Sequence, residues 1–402
     1  MKILCTATSY PPAIGGAQYH VHFIAAQLAR SNDVHAICLW DEVRTDWLLG
    51  TTILAPGAEK RYEIDGVRVR RLGFSLSEKA RMGLRVPLYF LLLRPAIAAI
   101  ARVIQGKLAE EAGGADLVHN ARIGREPLSY ASYEAARQRG IPFLLTPYHH
   151  PRWSGRWHRA YHHLYRLSDG LIALTEAEKR ALVDLGVEEK RITVTGTGPV
   201  LKARPDPAAF LARHELDGPF VLFVGQKYRY KNLRGLLGAA SRVWQTHPEV
   251  SFVFLGPRTA DSRRLFAGVR DRRVLELGEV SLQEKTDALA ACTLLCQPST
   301  QESFGAVFIE AWLLGKPVIG SEIPAVREVI SSGEDGIVAA PTAESLAEAI
   351  VRLLDHPAQA RAMAERGREK ALRRFTWEQL ARKTNEAYQR ALDRRGPGFK
   401  EL

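Results

Sequence analysis

Residues 296 to 320 read Cys296-Gln-Pro-Ser-Thr-Gln-Glu302-Ser303-Phe304-Gly305-Ala306-Val-Phe-Ile-Glu310-Ala-Trp-Leu-Leu-Gly315-Lys316-Pro317-Val-Ile-Gly320, and the pattern runs on to Glu328. The apolar run Thr293 to Cys296 predicts a short buried strand, broken into a loop by Pro298, Ser299 and Thr300. Val307, Phe308, Ala311, Trp312 and Leu314 then recur at the spacing of one packed helix face, and Gly315 with Pro317 stops the helix. Pro317 to Gly320 reads as the next strand. Strand, loop, helix, strand is one turn of an α/β sheet, whose ligands bind at the carboxyl ends of the strands. The first helical turn carries Phe304 and Gly305, so its unpaired amides form a socket for phosphate. Glu302 stands just before that socket. Glu310 lies among apolar neighbours, where a carboxylate is costly unless something hydrogen-bonds to it, and the paired hydroxyls of a ribose would serve.

Taken singly, Glu302 reads as a solvated loop carboxylate and Glu310 as the partner of a nearby Lys or Arg. Taken together, two glutamates with Ser-Phe-Gly after the first, Glu-Ala-Trp at the second and Gly-Lys-Pro-Val-Ile-Gly beyond form a compound pattern. It resembles the donor-site motif of the retaining glycosyltransferases of family four. The resemblance implies an α/β GT-B fold, two Rossmann-like domains facing each other across a cleft. It implies that Glu302 sits against the transferred sugar, that Glu310 binds the nucleotide ribose, and that Ser303, Phe304, Gly305 and Ala306 hold sugar and diphosphate.

The chain has 402 residues, 46% hydrophobic and 25% charged, the composition of a soluble globular protein with room for two domains. The opening Met-Lys-Ile-Leu-Cys-Thr-Ala-Thr reads as a strand rather than a signal peptide, since Pro11-Pro12 cuts it short. Cys5, Cys38, Cys292 and Cys296 lie in strand-like runs without metal-ligand spacing. That predicts buried thiols in a reducing, cytoplasmic setting. An excess of 56 Lys and Arg over 44 Asp and Glu gives +12, which suits an anionic partner: a nucleotide diphosphate, a nucleic acid or an acidic membrane surface. No nucleic-acid-reading motif appears, and no nucleic acid partner is expected.

Along the N-terminal half, strands are predicted at 2–8, 34–39, 66–72, 116–119, 141–146 and 171–174, with helices between them, an alternation that implies a mostly parallel sheet. Gly15-Gly16 opens a helix at about 17–30. It reads as a turn from the residues alone, and lacks the Gly-x-Gly-x-x-Gly of a dinucleotide site. The family resemblance implies that Gly15 and Gly16 face donor phosphate and acceptor, although Gln18 stands where the family often has Glu. His149 and His150 follow a strand at its carboxyl end, and the resemblance implies that one of them faces the transferred sugar. His119 is another cleft-facing candidate, with a core or turn histidine as the plainer reading. Residues 79–107 carry Arg81, Arg85, Arg94, Arg102 and Lys107 among apolar runs too short to cross a membrane. A basic amphipathic helix on an acidic membrane and a buried domain helix with basic ends both fit. Thr175 and Glu178 have capping-box spacing, a structural reading.

The Pro- and Gly-bearing stretch 199–218 marks the domain boundary. The domains expected are 1–198, to which a last helix at 376–402 returns, and 199–375. The second opens with the strand Phe220 to Val224, followed by Gly225-Gln226-Lys227-Tyr-Arg229-Tyr-Lys231, a cationic loop that could neutralise a diphosphate leaving group. By resemblance Lys231 matches the family lysine on the diphosphate, and Gln226 replaces its arginine, leaving Lys227 or Arg229 as substitutes. The expected function is retaining transfer from a UDP- or GDP-sugar, a substrate rather than a cofactor, to a hydroxyl acceptor in polysaccharide, lipopolysaccharide or glycolipid assembly, the acceptor being a lipid-linked glycan in one reading. Glu302, Lys231, His149 and His150 are the catalytic candidates. No metal is expected, because no Asp-x-Asp pair occurs. A nucleotide-sugar epimerase or hydrolase, and a non-catalytic scaffold, are the rival readings.

Overall fold

A computed structural model describes the chain except for residues 14, 43–46, 123, 151–152, 154 and 396–402. It divides into two compact units, Met1–Thr197 with Trp377–Leu402, and Gly198–Thr376.

The first unit holds eight strands: β1 Lys2–Ser9, β2 Asp33–Trp40, β3 Lys60–Ile64, β4 Val67–Arg71, β5 Leu117–Ala121, β6 Phe143–Thr146, β7 Gly170–Ala173 and β8 Ile192–Val194. Their order is β3-β4-β2-β1-β5-β6-β7-β8, parallel except for the β3–β4 hairpin. That hairpin has no counterpart among the sequence expectations, although Asp65-Gly66 is a hairpin-turn pair and both adopt positive φ. Because β1 lies between β2 and β5, the strand order reverses at their carboxyl ends, where a sheet of this kind opens a crevice. β5 and β6 are buried at every residue, as strands of a sheet covered on both faces are, although β5 carries the polar His119 and Asn120.

Residues 79–107 fall in helices Leu76–Gly83, Val86–Tyr89 and Leu93–Gly113. The third buries Ala96, Ile97, Ile100, Ile104 and Leu108 in the core, as the domain-helix reading requires. The segment before it does the opposite. Leu76, Leu84, Phe90, Leu91 and Leu92 are exposed, beside exposed Arg81 and Arg94. Among the described residues no helix is long and apolar enough to cross a membrane.

The second unit has β9 Phe220–Val224, β10 Ser251–Leu255, β11 Val274–Leu277, β12 Leu294–Gln297, β13 Val318–Ser321 and β14 Ile337–Ala339, all parallel in the order β11-β10-β9-β12-β13-β14. Its reversal point is at β9 and β12. The supposed linker contains a helix, Pro207–Arg213, capped by the Asp206 carboxylate on the Ala209 N–H. All four cysteines are buried free thiols, and burial pushes those of Cys5, Cys38 and Cys292 up to about 12, which leaves them protonated and unreactive.

Candidate functional site

In the second unit the loops leaving β9 and β12 meet where the strand order reverses. They are tied by backbone and side chain: Gln297 Nε2 donates to Val224 O at 2.8 Å, and Thr300 N donates to Tyr230 O at 2.8 Å. Across this junction Lys231 Nζ donates to Glu302 Oε1, which also accepts from Ser299 Oγ at 2.9 Å. Glu302 Oε2 has no hydrogen-bond partner among the described residues. An ammonium has three donors, so the pair leaves Lys231 capacity for a further oxygen.

Gly305 then starts the helix Ala306–Leu313 as its cap, with φ of 89° and no side-chain hydrogen bond. A Cβ there would stand 2.5 Å from the Phe308 ring, so glycine is required both by conformation and by space. Phe304, buried edge-on against Phe375 at 5.3 Å, pins the loop in front of the cap. The cap residue therefore offers no side-chain acceptor to the first-turn amides, and no acidic residue occupies that turn.

Glu310 is 4% exposed, and its Oε1 accepts from Lys285 Nζ at 2.8 Å and from Val200 N at 3.0 Å. The lysine-pair reading thus holds for one oxygen. Oε2 has no hydrogen-bond partner among the described residues.

Lys227 departs from the expectation of a free cation beside the phosphates. Its ammonium is buried on Glu276 and the Leu277 carbonyl of β11, and burial lowers its pKa against the pull of Glu276. The backbone explains this: Lys227 N donates to Pro257 O, and Thr259 Oγ1 to Lys227 O, so the residue is fastened toward β10 and β11. Arg229 is exposed, and Gly225 follows β9 directly.

In the first unit Gly15 caps the helix Gly16–Ala29, and the buried Gln18 side chain folds back so that a Cβ on Gly15 would lie 2.1 Å from its Oε1. The loop after β6 holds Tyr148 at φ 44°, a strained conformation for a tyrosine. Two anchors hold it there: Tyr148 Oη bonds His20 Nδ1 at 2.8 Å, and His149 N donates to Glu178 Oε1. His149 and His150 are both buried. Burial, reinforced by Arg122, takes the His149 imidazole down to about 4, so it is neutral at pH 7.

Glu178 is the residue whose role the capping-box spacing concealed. Thr175 Oγ1 does cap the Glu178 N–H at 3.1 Å, but the carboxylate turns to Leu174 N at 2.7 Å and to His149 N. Burial pushes its pKa up to about 7, against those two N–H bonds and Arg122. Arg122 and Lys285 were also missed, because nothing local in the sequence says that either side chain is enclosed. His119 is a core residue, bonded to Thr146 Oγ1 and Tyr388 Oη. Among the described residues no three of His, Cys, Asp and Glu come together to hold a metal ion.

Residues 15–198 match the family model described as glycosyl transferase 4-like domain, and residues 210–370 that described as glycosyl transferases group 1. The chain belongs to the group 1 glycosyl transferases. It is 27% identical to a glycogen synthase of Mycobacterium tuberculosis, over 96% of this chain and 94% of that one. It is 32% identical to a phosphatidyl-myo-inositol mannosyltransferase of Mycobacterium leprae over 44% of this chain and 48% of that relative. Among solved structures, Anabaena HepE in complex with UDP and glucose matches with a TM-score of 0.73 at 20% identity, covering 96% of this chain and 98% of the other. Sucrose-phosphate synthase from Thermosynechococcus elongatus matches at 0.72 and 20%, covering 97% and 98%. Identity that low carries the fold alone, and the fold of these group 1 glycosyl transferases is GT-B, with two Rossmann-like halves.

Proposed function

We propose that the chain is a retaining glycosyltransferase that moves a sugar from a UDP- or GDP-sugar to a hydroxyl acceptor in polysaccharide, lipopolysaccharide or glycolipid assembly. The carrying observation is the Lys231–Glu302 pair set at the reversal point of the second sheet, beside the amides of the Gly305 cap. The donor diphosphate lies on those amides and on Lys231, which Glu302 holds in place. Glu310 Oε2 takes a ribose hydroxyl. As the bond from the anomeric carbon to the diphosphate oxygen breaks, Lys231 and the amides stabilise the negative charge that develops, the setting in which fixed dipoles matter most. The acceptor oxygen forms its bond on the same face, and its proton passes to the departing diphosphate oxygen. Of the buried pair His149 and His150, one is assigned to the transferred sugar. The Anabaena HepE structure solved with UDP-glucose supports a donor of this class.

Glu302→Ala is expected to lower kcat by roughly 10² to 10³-fold while the circular dichroism spectrum stays native, because it removes the orientation of the cation that meets the developing charge. Turnover equal to the parent protein's would sink the assignment.

The exposed leucines of 76–92, with Arg81 and Arg94 beside them, are proposed to rest on an acidic membrane, which would bring the enzyme to a lipid-linked acceptor. Co-sedimentation with vesicles containing phosphatidylglycerol is expected to fall in Leu84→Ser/Leu91→Ser relative to the parent chain. Equal sedimentation of both proteins would remove this contact.

A further inference from the structure

Among the described residues Arg122 is a buried cation with no ion-pair partner. It is the first residue beyond β5, at the point where the strand order of the first sheet reverses, and its backbone N–H donates to Thr146 O at the end of β6. The side chain is sandwiched between two rings, its guanidinium carbon 3.8 Å from the Trp153 centroid and 3.9 Å from that of Tyr161. The residue is 6% exposed and its Nε is buried with no hydrogen-bond partner. Among the described residues no carboxylate pairs with it.

Stacking satisfies the two flat faces of a guanidinium but supplies no acceptor to its rim of N–H donors, of which the buried Nε has none. Neither buried carboxylate of this region forms an ion pair with Arg122: Glu178 accepts from the His149 and Leu174 amides and feels the Arg122 charge only at a distance, and Glu126 accepts from the Tyr89 hydroxyl through Oε2 while its buried Oε1 has no partner. Two further donors stand close by. Nδ1 of His149 and Nδ1 of His158 are buried and have no partner, and the imidazoles lie around the same aromatic cluster, His149 against Tyr165 and His158 against Trp153. Burial and the Arg122 charge hold both rings neutral, so each can donate a hydrogen bond without a charge of its own.

A desolvated guanidinium is costly unless an anion offsets it. A neutral sugar would account for the histidines and leave the cation uncompensated. A phosphate, with three oxygens, matches an arginine rim and two imidazole N–H groups together. We propose that this cluster at the carboxyl ends of β5 and β6 binds a phosphate group carried by the acceptor, with Arg122 supplying the charge and His149 and His158 the neutral donors. The proposal rests on the reading that the first unit receives the acceptor, and it makes that acceptor a phosphorylated sugar or a phosphate-bearing lipid.

The test uses the full chain at constant ionic strength. Binding of inorganic phosphate, glucose 6-phosphate, glucose and water-soluble dihexanoyl phosphatidylinositol is measured by calorimetry for the parent protein, Arg122→Gln and His158→Gln. A phosphate-bearing probe is expected to bind the parent chain, and to bind Arg122→Gln about tenfold or more weakly, as loss of a hydrogen bond to a charged group requires. His158→Gln should weaken it less, and glucose should not bind. Preference for glucose 6-phosphate would assign a free monoester, and preference for the phosphatidylinositol a lipid headgroup. The proposal is overturned if no phosphate-bearing probe binds the parent chain, or if Arg122→Gln binds as well as the parent. Should Arg122→Gln not fold, Arg122→Lys and His158→Gln are judged by the same criterion. Nucleotide-sugar binding is measured on the same samples and should be equal in Arg122→Gln and the parent, so that a failed donor site and a failed phosphate site give different results.

Discussion

The cations at the two reversal points are met in opposite ways. In the second unit, cations near the reversal point are matched inside the chain: Lys231 by Glu302, Lys285 by Glu310, Lys227 by Glu276. In the first, Arg122 is stacked between Trp153 and Tyr161 and meets no carboxylate among the described residues. The difference teaches that one site is assembled before its ligand arrives, whereas the other, on the proposal above, takes its compensating charge from the ligand. On this account the second unit meets a ligand that is the same at every turnover, a nucleotide diphosphate, and the first meets the group that sets specificity.

The comparison makes unequal predictions for stability. Glu310→Ala strands the Lys285 ammonium and the Val200 N–H in a largely buried place, and is expected to cost about 2 to 3 kcal/mol, read as faster hydrogen exchange in β12 and β13. Arg122→Gln removes two ring contacts but also a desolvated charge, so the opposing changes should nearly cancel, leaving less than about 1 kcal/mol at β5 and β6. A loss at Arg122 as large as that at Glu310 would mark the stacked guanidinium as a structural element and erase the contrast.

Much of the architecture was legible because periodicity and punctuation agree in an α/β chain. The strand ending at Gln297, the helix of Val307 to Leu313 and the stop at Gly315 followed from local patterns, each reinforcing the next. Glu302 and Glu310 stood out as parts of one compound motif and Lys231 only through the family resemblance, and the structure brings Lys231 onto Glu302. What local pattern does not carry is the direction of a side chain within an irregular loop. Lys227 and Arg229 look alike in sequence, yet one is fastened inward to Glu276 and the other faces solvent, because a hydrogen bond from Lys227 N to Pro257 fixes the turn. Glu178 shows the same limit from the other side. Its spacing from Thr175 foretold the cap, but the partner of its carboxylate, His149 N, comes from a loop 29 residues earlier in the chain. Arg122 could not be recognised at all, since its character arises from Trp153 and Tyr161 closing over it.

The central claim is that the second unit holds a nucleotide sugar through the amides at Gly305, Lys231 and the free oxygen of Glu310. Thermal stabilisation of the purified chain by UDP-, GDP- and ADP-sugars, with Glu310→Ala alongside, tests it most directly. A ligand that binds only the folded state at 100 times its Kd adds about 2.7 kcal/mol, enough to raise the midpoint measurably. The account predicts a rise with one nucleotide class in the parent chain and none in Glu310→Ala, each protein compared with its own unliganded midpoint. No rise with any nucleotide sugar, or an equal rise in the variant, would contradict it.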